Sequence, residues 1–284
     1  MKGVALGQYY EGNSLIHRLD PRVKLFSALC LIVGLFAAES LWCFLLLGGV
    51  ILLLVAVSRI SLGVILRGLR PLIAVLLFTS LISLFLTRGE GDPLFSVSVF
   101  GWFSITLYFE GILRAVFLAV RILLLVMATS LLLTYTTTPT TLTDALERVL
   151  HPLTWIRVPV YDFAMMMTIA LRFIPTLVEE TDRIMCAQKA RGADFSSGSL
   201  LRRARALIPI LIPLFVSSFR RAGELATAME CRCYRGGTGR TRLRVMRCGP
   251  SDYVFLVLSA LCLALVFLGN AYLPTAFTLG GAMA

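Results

Sequence analysis

Two short elements of this sequence place an arginine between small residues. They are Ala190-Arg191-Gly192 and Cys231-Arg232-Cys233, and their arginines are 41 residues apart. A guanidinium group forms two parallel hydrogen bonds with a carboxylate, and small neighbours leave room for a close approach. The pattern therefore predicts that both arginines bind acidic side chains of a partner protein.

Both elements lie in one strongly basic part of the chain. Residues 183–247 contain fourteen lysines and arginines against three acidic residues, a balance of +11 that equals the net charge of the whole protein. Arginines of membrane proteins commonly hold a segment at the cytoplasmic surface, next to lipid headgroups. We assign only this orienting role to Arg202, Arg203, Arg205, Arg240, Arg242, Arg244 and Arg247. Arg191 and Arg232 differ from them in having small flanks at the end of an amphipathic helix.

The two helices that carry these elements are predicted over residues 161–190 and 200–231. With Arg191 aligned on Arg232, the aliphatic residues seven positions earlier also align, as do the alanines four positions earlier. Seven residues are two helical turns, so these side chains share one face with the arginine. The residues predicted to support docking are Ile184, Ala187, Gln188, Leu225, Ala228, Glu230 and Tyr234.

The composition is that of an integral membrane protein. Hydrophobic residues make up 58% of the chain, charged residues 15%, and the mean hydropathy is +0.85. The long apolar runs lack the alternation of apolar and polar residues that is typical of membrane barrel strands, so they are predicted as helices. About 20 helical residues are needed to span the hydrocarbon layer. The fold class predicted is an all-α integral membrane protein with about five transmembrane helices and long amphipathic cytoplasmic coupling helices. The predicted spans are residues 23–38, 41–57, 72–87, 111–135 and 253–272.

Three regions follow from this pattern. Residues 1–135 are predicted as an N-terminal cytoplasmic segment with four transmembrane helices, residues 136–250 as a cytoplasm-facing coupling-helix region, and residues 251–284 as the last transmembrane helix with a tail. The connection at residues 88–110 is acidic and is placed outside by the positive-inside bias. The N-terminus and the coupling region are therefore expected in the cytoplasm.

Arg121 is the one candidate for a functional charge inside a predicted span. It lies about 10 Å into the fourth apolar run at 1.5 Å per residue, and an ionisable group at that depth usually faces protein or water. The hypothesis is that Arg121 is a structural ion, paired with an acid of another helix.

Neither catalytic nor metal-binding residues are predicted. Cys231 and Cys233 are separated by one residue and have no histidine near them, which does not fit a zinc site. The glycine-rich residues 236–239 lack the lysine of a phosphate-binding loop. We expect no directly bound cofactor and no enzymatic activity.

Several motifs resemble one family, the transmembrane T component of energy-coupling factor (ECF) transporters. Residues 188–194, with Ala190-Arg191-Gly192, and residues 228–237, with Cys231-Arg232-Cys233, are similar to its two coupling motifs. Further matches are residues 17–22, 171–176 and 136–150. The second motif usually reads Ala-Arg-Gly, so the cysteines here are a departure that keeps the arginine and its small flanks.

The resemblance implies a non-catalytic scaffold with three kinds of partner. These are two cytoplasmic ABC-type ATPases, which bind the ATP, a substrate-binding membrane (S) subunit, and the lipid bilayer; nucleic acid is not expected. Each Arg-tipped helix would dock on one ATPase, and ATP-driven movement would reorient the S subunit and import a vitamin or micronutrient. The implied location is a bacterial or archaeal cell membrane.

Two other functions remain open at this stage. The first alternative is the T-type component of a dedicated cobalt or nickel importer rather than of a shared module. The alternative from another class is a membrane enzyme that binds anionic lipids through the arginines, although the membrane-facing half of the sequence shows neither the acidic metal cluster nor the nucleophile that it would need.

Overall fold

The computed structural model describes residues 10, 12–86, 95–99, 103–193, 195, 199–236 and 248–272. Some residues with sequence-based assignments lie outside this part: Asp194, Arg240, Arg242, Arg244 and Arg247. The same is true of the predicted tail after residue 272 and of residues 88–94 and 100–102 in the predicted outer connection.

The described chain is almost wholly helical. Its α-helices are α1 (Leu15–Arg18), α2 (Pro21–Ala37), α3 (Leu41–Ser58), α4 (Leu62–Leu86), α5 (Phe109–Thr129), α6 (Pro139–Val149), α7 (Val160–Ala190), α8 (Leu200–Cys231) and α9 (Pro250–Tyr272). A π-helical turn, Ser130–Tyr135, continues α5. The predicted all-α membrane fold is confirmed.

One short hairpin was not anticipated. Strands β1 (Phe95–Val99) and β2 (Phe103–Leu107) pair antiparallel, with Phe95 opposite Leu107. They lie within residues 88–110, which the sequence predicts only as a connection. Both strands are rich in β-branched and aromatic residues, the composition that favours strands.

The chain divides into two compact units. Of the described residues, those from 10 to 142 and from 248 to 272 belong to the core unit, and those from 143 to 236 belong to the arginine unit.

The core unit is held together by aliphatic side chains from several helices. Leu35 of α2, Leu47 and Ile51 of α3, Leu131 of the π-helical turn and Val266 of α9 are all fully buried. In a bilayer these contacts stabilise the unit through close packing, because lipid tails are as apolar as leucine. Polar groups collect where the starts of α2 and α9 meet the end of the π-helical turn.

The starts of α2 and α4 differ in how clearly the sequence marks them. Asp20 caps α2 by accepting from the Arg22 amide, and Pro21 occupies the first turn, which is a common helix start. The third predicted span, residues 72–87, starts too late, because α4 begins at Leu62 and runs through Pro71. The residues before Pro71 are mostly good helix formers, and a helix tolerates one lost ladder bond when its neighbours are strong.

Six helices of the described chain are long and apolar enough to cross a membrane. They include α3, α5 and α9, most of α4, and also α7 and α8. The first predicted span corresponds to α2, which has 17 residues. The sequence analysis assigned α7 and α8 to the coupling region and did not count them among the five transmembrane helices, because both combine apolar and charged stretches.

The arginine unit consists largely of α7 and α8, which pack against each other. Before them lies the short amphipathic helix α6, which is followed by a 3-10 turn, His151–Ile156, that contains Pro152. Helices α7 and α8 end at Ala190 and Cys231, one residue before each docking arginine.

Candidate docking site

The end of α7 is a Schellman cap. Gly192 has a left-handed backbone, with φ +86°, and its N–H donates to the Lys189 carbonyl at 3.0 Å. The Ala193 N–H donates to the Gln188 carbonyl at 3.0 Å. These two bonds satisfy carbonyls that the helix end would otherwise leave free. Arg191 is the last residue before the reversal.

The end of α8 repeats this geometry. Cys233 is left-handed, with φ +58°, and its N–H donates to the Glu230 carbonyl at 2.9 Å. The Tyr234 N–H donates to the Met229 carbonyl at 3.0 Å. Arg232 has φ −90° and ψ 16°, close to the −86° and 8° of Arg191.

The third residue of each element therefore has a conformational role that the sequence reasoning missed. Gly192 and Cys233 were interpreted as small flanks, but each is the left-handed residue that closes its helix. Glycine adopts this conformation freely, whereas a side chain costs about 1–2 kcal/mol there. Gly192 directly after a periodic helix was a readable cap signal, but Cys233 was not.

Both helix tips expose their arginines on the surface of the protein. The six motif residues, Ala190, Arg191, Gly192, Cys231, Arg232 and Cys233, are all exposed. Within the described part of the chain neither guanidinium has an ion pair or a side-chain hydrogen bond. Each also lies at a helix C-terminus, where the helix dipole favours a cation. The tips can therefore offer all their guanidinium donors to an acidic partner.

The supporting residues lie within the last turns of the same helices. Ile184 and Leu225 are half-buried, and Ala187 and Ala228 are exposed. Gln188 and Glu230 contribute carbonyls to the caps, and Tyr234 contributes an amide. The structure thus brings the predicted residues of each element together at its own helix end.

One ion pair of the arginine unit was not predicted. Arg221 Nη2 of α8 donates to Glu180 Oε2 of α7 at 2.7 Å, and Arg221 Nε donates to the buried Ser217 hydroxyl at 3.4 Å. The two charged residues are 41 positions apart. This is the spacing of the two docking arginines, so the alignment that revealed the motifs also pairs Glu180 with Arg221.

Comparison with known proteins shows which family this chain belongs to. Residues 12–243 match the family described as cobalt transport protein. The energy-coupling factor transporter transmembrane protein EcfT of Clostridium kluyveri is 48% identical over 254 residues, covering 89% of this chain and 92% of the relative. The proteins of the same name from Acidaminococcus fermentans and Bacillus subtilis are 50% and 43% identical, covering 93% and 94% of this chain and 96% and 98% of theirs. This chain belongs to the family of energy-coupling factor transporter transmembrane proteins.

The direct contacts of Arg121 are with a main-chain carbonyl and an aromatic ring rather than with an acidic side chain. Its Nη2 donates to the carbonyl of Ala38, the C-cap residue of α2, at 2.6 Å, and its guanidinium carbon lies 5.8 Å from the centre of the Phe44 ring. In the described residues Arg121 forms no ion pair within 4 Å, and the acidic charge that acts on it is that of Glu39, the residue after Ala38, which lies outside the helices. A cation at the carboxyl end of a helix is favoured by the helix dipole, and that interaction needs no acid.

A buried polar cluster lies at the opposite end of α2. Lys24 is 1% exposed, although a lysine near the start of a membrane helix usually extends its ammonium to the membrane interface. Its Nζ donates to the Thr136 carbonyl at 2.8 Å, the His17 carbonyl at 3.3 Å and the Thr137 hydroxyl at 3.5 Å. All three ammonium donors are therefore used.

Two carboxylates complete what we name the Lys24 cluster, made up of Asp20, Lys24, Thr136, Gly249 and Asp252. Asp252 Oδ1 accepts from the Asp20 N–H at 2.8 Å, and its Oδ2 accepts from the Gly249 N–H at 2.7 Å. Both carboxylates are 6% exposed. Buried charges need such partners, because an unpaired one carries a large desolvation cost.

A thiol borders this cluster. Cys248 Sγ donates to Asp20 Oδ2 at 3.7 Å. Desolvation raises the pKa of the Cys248 thiol, and the nearby Asp20 carboxylate raises it further. The proton therefore stays on the sulfur near neutral pH, and the contact is a weak hydrogen bond. The described residues contain no group of three or more potential metal ligands.

Proposed function

We propose that the two Arg-tipped helices dock two ABC-type ATPases of an energy-coupling factor transporter. The observation that carries this proposal is the equivalence of the two tips. Arg191 and Arg232 follow helices that end in the same cap, and both guanidinium groups are exposed and unpaired within the described residues. Two similar projections suit two similar partners, each offering carboxylates to one arginine.

The ATPases supply the chemistry in this proposal. ATP binds and is hydrolysed in them, whereas this chain holds no cofactor and transmits movement. Their closing and opening displaces α7 and α8, and the displacement passes to the membrane helices and to a substrate-binding S subunit. The transported substrate is a vitamin or a comparable micronutrient.

The membrane arrangement follows from the same proposal. The tips and the N-terminus face the cytoplasm of a bacterial or archaeal cell. Large apolar side chains are exposed on the outer faces of several core-unit helices, among them Trp42, Leu53, Phe78 and Val254. These faces suit lipid tails and the apolar surface of an S subunit.

A dedicated metal importer is the second candidate. It is favoured by the description of the matching family as cobalt transport protein. The relatives named as energy-coupling factor transporter proteins favour the first. Copurification in mild detergent separates the two, because a shared module recovers several different S subunits and a dedicated one recovers a single metal-binding partner.

The docking test uses charge reversal at each tip. We expect Arg191→Glu and Arg232→Glu each to reduce the copurified ATPases at least tenfold, because a carboxylate then faces carboxylates. Arg205→Glu is the matched control, since Arg205 is an exposed arginine of α8 away from the tip. Full ATPase recovery with the doubly reversed, normally inserted variant would contradict the docking function.

A further inference from the structure

The two docking tips have the same cap geometry but different chemistry beside the arginine. The first tip has an alanine and a glycine next to Arg191. The second has Cys231 and Cys233 next to Arg232, and both cysteines are exposed and carry free thiols. Alanine and glycine have no reactive side chain. Thiol chemistry can therefore change the second tip and leave the first as it is.

Cys233 has a backbone conformation that cysteine does not favour. Its φ is +58°, in the left-handed region that glycine occupies at the equivalent position of the first tip. Side chains are disfavoured there, and residues held in such conformations are concentrated at functional sites. A glycine would form the same cap with less strain, so cap geometry does not explain why a cysteine occupies this position.

The cap also keeps the two thiols on one tight turn. Only Arg232, with φ −90° and ψ 16°, separates them. The N–H groups of Cys233 and Tyr234 donate back to carbonyls of the last helical turn at 2.9 and 3.0 Å, so the chain reverses directly after Cys231. Two thiols so close along the chain react with each other more readily than either does with a second external thiol compound.

We propose that Cys231 and Cys233 form a redox switch, in which a reversible disulfide between them prevents the second tip from docking its ATPase. This inference rests on the proposed function, because it presumes that Arg232 binds an ATPase. The disulfide draws both flanking residues together and changes the backbone torsions of Arg232 between them. The guanidinium then no longer projects as that of Arg191 does. The reduced pair is the docking form in a reducing cytoplasm, where protein disulfides are mostly transient and redox-sensing.

The oxidant is a low-molecular-weight disulfide, such as glutathione disulfide. The thiolate of one cysteine attacks a sulfur of this disulfide, forms a mixed disulfide and releases one small thiol. The thiolate of the other cysteine then attacks the protein sulfur, forms the bond between Cys231 and Cys233 and expels the second small thiol. The protein loses two electrons and two protons, and the small disulfide gains both. Exposed or strained disulfides are the labile ones, so glutathione reopens the bond by the reverse exchange.

Cys186 of α7 provides an internal reference for this chemistry. Its thiol is also exposed, but the nearest cysteine along the chain is Cys231, in another helix. Without a neighbouring thiol, its reaction with glutathione disulfide should stop at the mixed disulfide. The pair and Cys186 therefore give products of different mass in the same sample.

The test exposes the full chain in lipid nanodiscs to buffers with a rising ratio of glutathione disulfide to glutathione. Peptide mass spectrometry measures the state of each thiol, and titration with purified ATPases measures docking. We expect the peptide with both cysteines to lose the mass of two hydrogen atoms. The affinity for the ATPases should then fall at least tenfold and recover with dithiothreitol.

The matched control combines Cys231→Ala with Cys233→Gly, which gives the second tip the same three residues as the first. It keeps Cys186, so it also reports any effect of oxidising the other thiols. The affinity of this variant for the ATPases should be the same with and without glutathione disulfide. A control that weakens as much as the parent overturns the switch, because the effect then comes from other thiols.

Two further results would overturn the proposal. One is that no disulfide joins Cys231 and Cys233 at glutathione ratios that already modify Cys186. The other is a disulfide that leaves the affinity for the ATPases unchanged. The docking function is judged separately on reduced protein: if Arg232→Glu binds the ATPases like the parent, docking by the second tip fails, whatever the oxidant does.

Discussion

Glu180 and Arg221 occupy equivalent positions on α7 and α8, each eleven residues before the arginine of its own tip, and their side chains form an ion pair of 2.7 Å. Eleven helical residues correspond to about 16 Å. The pair therefore ties the two helices at a point from which both docking ends are equally far. Under the proposed function, the two ATPases would bind at equal distances from this point.

The first prediction concerns this ion pair. Both side chains are partly exposed, at 34% and 21%, so the pair itself contributes only about 0.5–1 kcal/mol to stability. We expect Glu180→Arg and Arg221→Glu each to impair transport, because like charges then separate α7 from α8. The exchanged double variant should recover most of the activity.

A double-mutant cycle provides the measurement, with thermal unfolding and transport read on the same four proteins. An additive cycle in both readouts would show that the contact does not position the helices. Arg220→Glu, the neighbouring and exposed arginine, is the control and should leave transport within twofold of the parent.

The second prediction concerns the left-handed residues of the two tips. A Cβ added at Gly192 meets no atom within 4 Å, so Gly192→Ala tests the backbone conformation alone, at φ +86°. We expect it to destabilise the end of α7 by about 1 kcal/mol. Cys233→Gly should stabilise the end of α8 by a similar amount, because it relieves a side chain at φ +58°.

Hydrogen exchange of the capping amides of Ala193 and Tyr234 measures both effects. Gly223→Ala is the matched control, since its added Cβ also meets no atom within 4 Å but the residue lies inside α8. It should stabilise the helix by about 1 kcal/mol, as alanine does in helix interiors. If Gly192→Ala and Gly223→Ala changed helix stability in the same direction, the conformational explanation would be refuted.

The third prediction concerns Arg121 in the core unit. Arg121→Leu removes the hydrogen bond to the Ala38 carbonyl and the contact with the Phe44 ring, at a cost of about 2–3 kcal/mol. Phe44→Leu keeps the hydrogen bond and loses only the ring, so its specific cation–π loss should be about 0.5–1 kcal/mol beyond the lost packing. Thermal unfolding in detergent compares the two, and an Arg121→Leu protein as stable as the parent would show that the contact is dispensable.

The sequence predicted the parts of this molecule that depend on local chain properties. Hydrophobic runs located α3, α5 and α9, and amphipathic spacing located the ends of α7 and α8 within a residue. The partners of Lys24 and Arg121 could not be predicted in this way. Their acceptors are main-chain carbonyls of Thr136 and Ala38, and every residue has a carbonyl. Only the packing of distant helices decides which carbonyl is near.

The Glu180–Arg221 ion pair was neither as predictable as the helices nor as unpredictable as the contacts of Lys24 and Arg121. Neither residue is unusual in its own helix, and a charged surface position has no preferred partner by itself. The 41-residue spacing nevertheless applies to this pair as well as to the docking arginines. A repeat found through one pair of residues was therefore a usable guide to a second pair, whose contact requires that the two helices meet at equivalent positions.

The last prediction separates a bidentate docking contact from simple charge attraction. Arg191→Lys and Arg232→Lys keep the positive charge but replace a planar fork of donors with a compact ammonium. If each arginine pairs with a carboxylate through two hydrogen bonds, the substitution should cost about 1.4 kcal/mol per tip, which is tenfold in affinity. Purified ATPases are titrated into detergent-solubilised protein to measure the binding constant.

Arg205→Lys serves as the control and should bind like the parent. Equal affinities for Arg191→Lys, Arg232→Lys and Arg205→Lys would mean that charge alone attracts the ATPases. The same titration at higher salt then distinguishes the two contributions, because screening weakens the exposed arginines more than a desolvated bidentate pair.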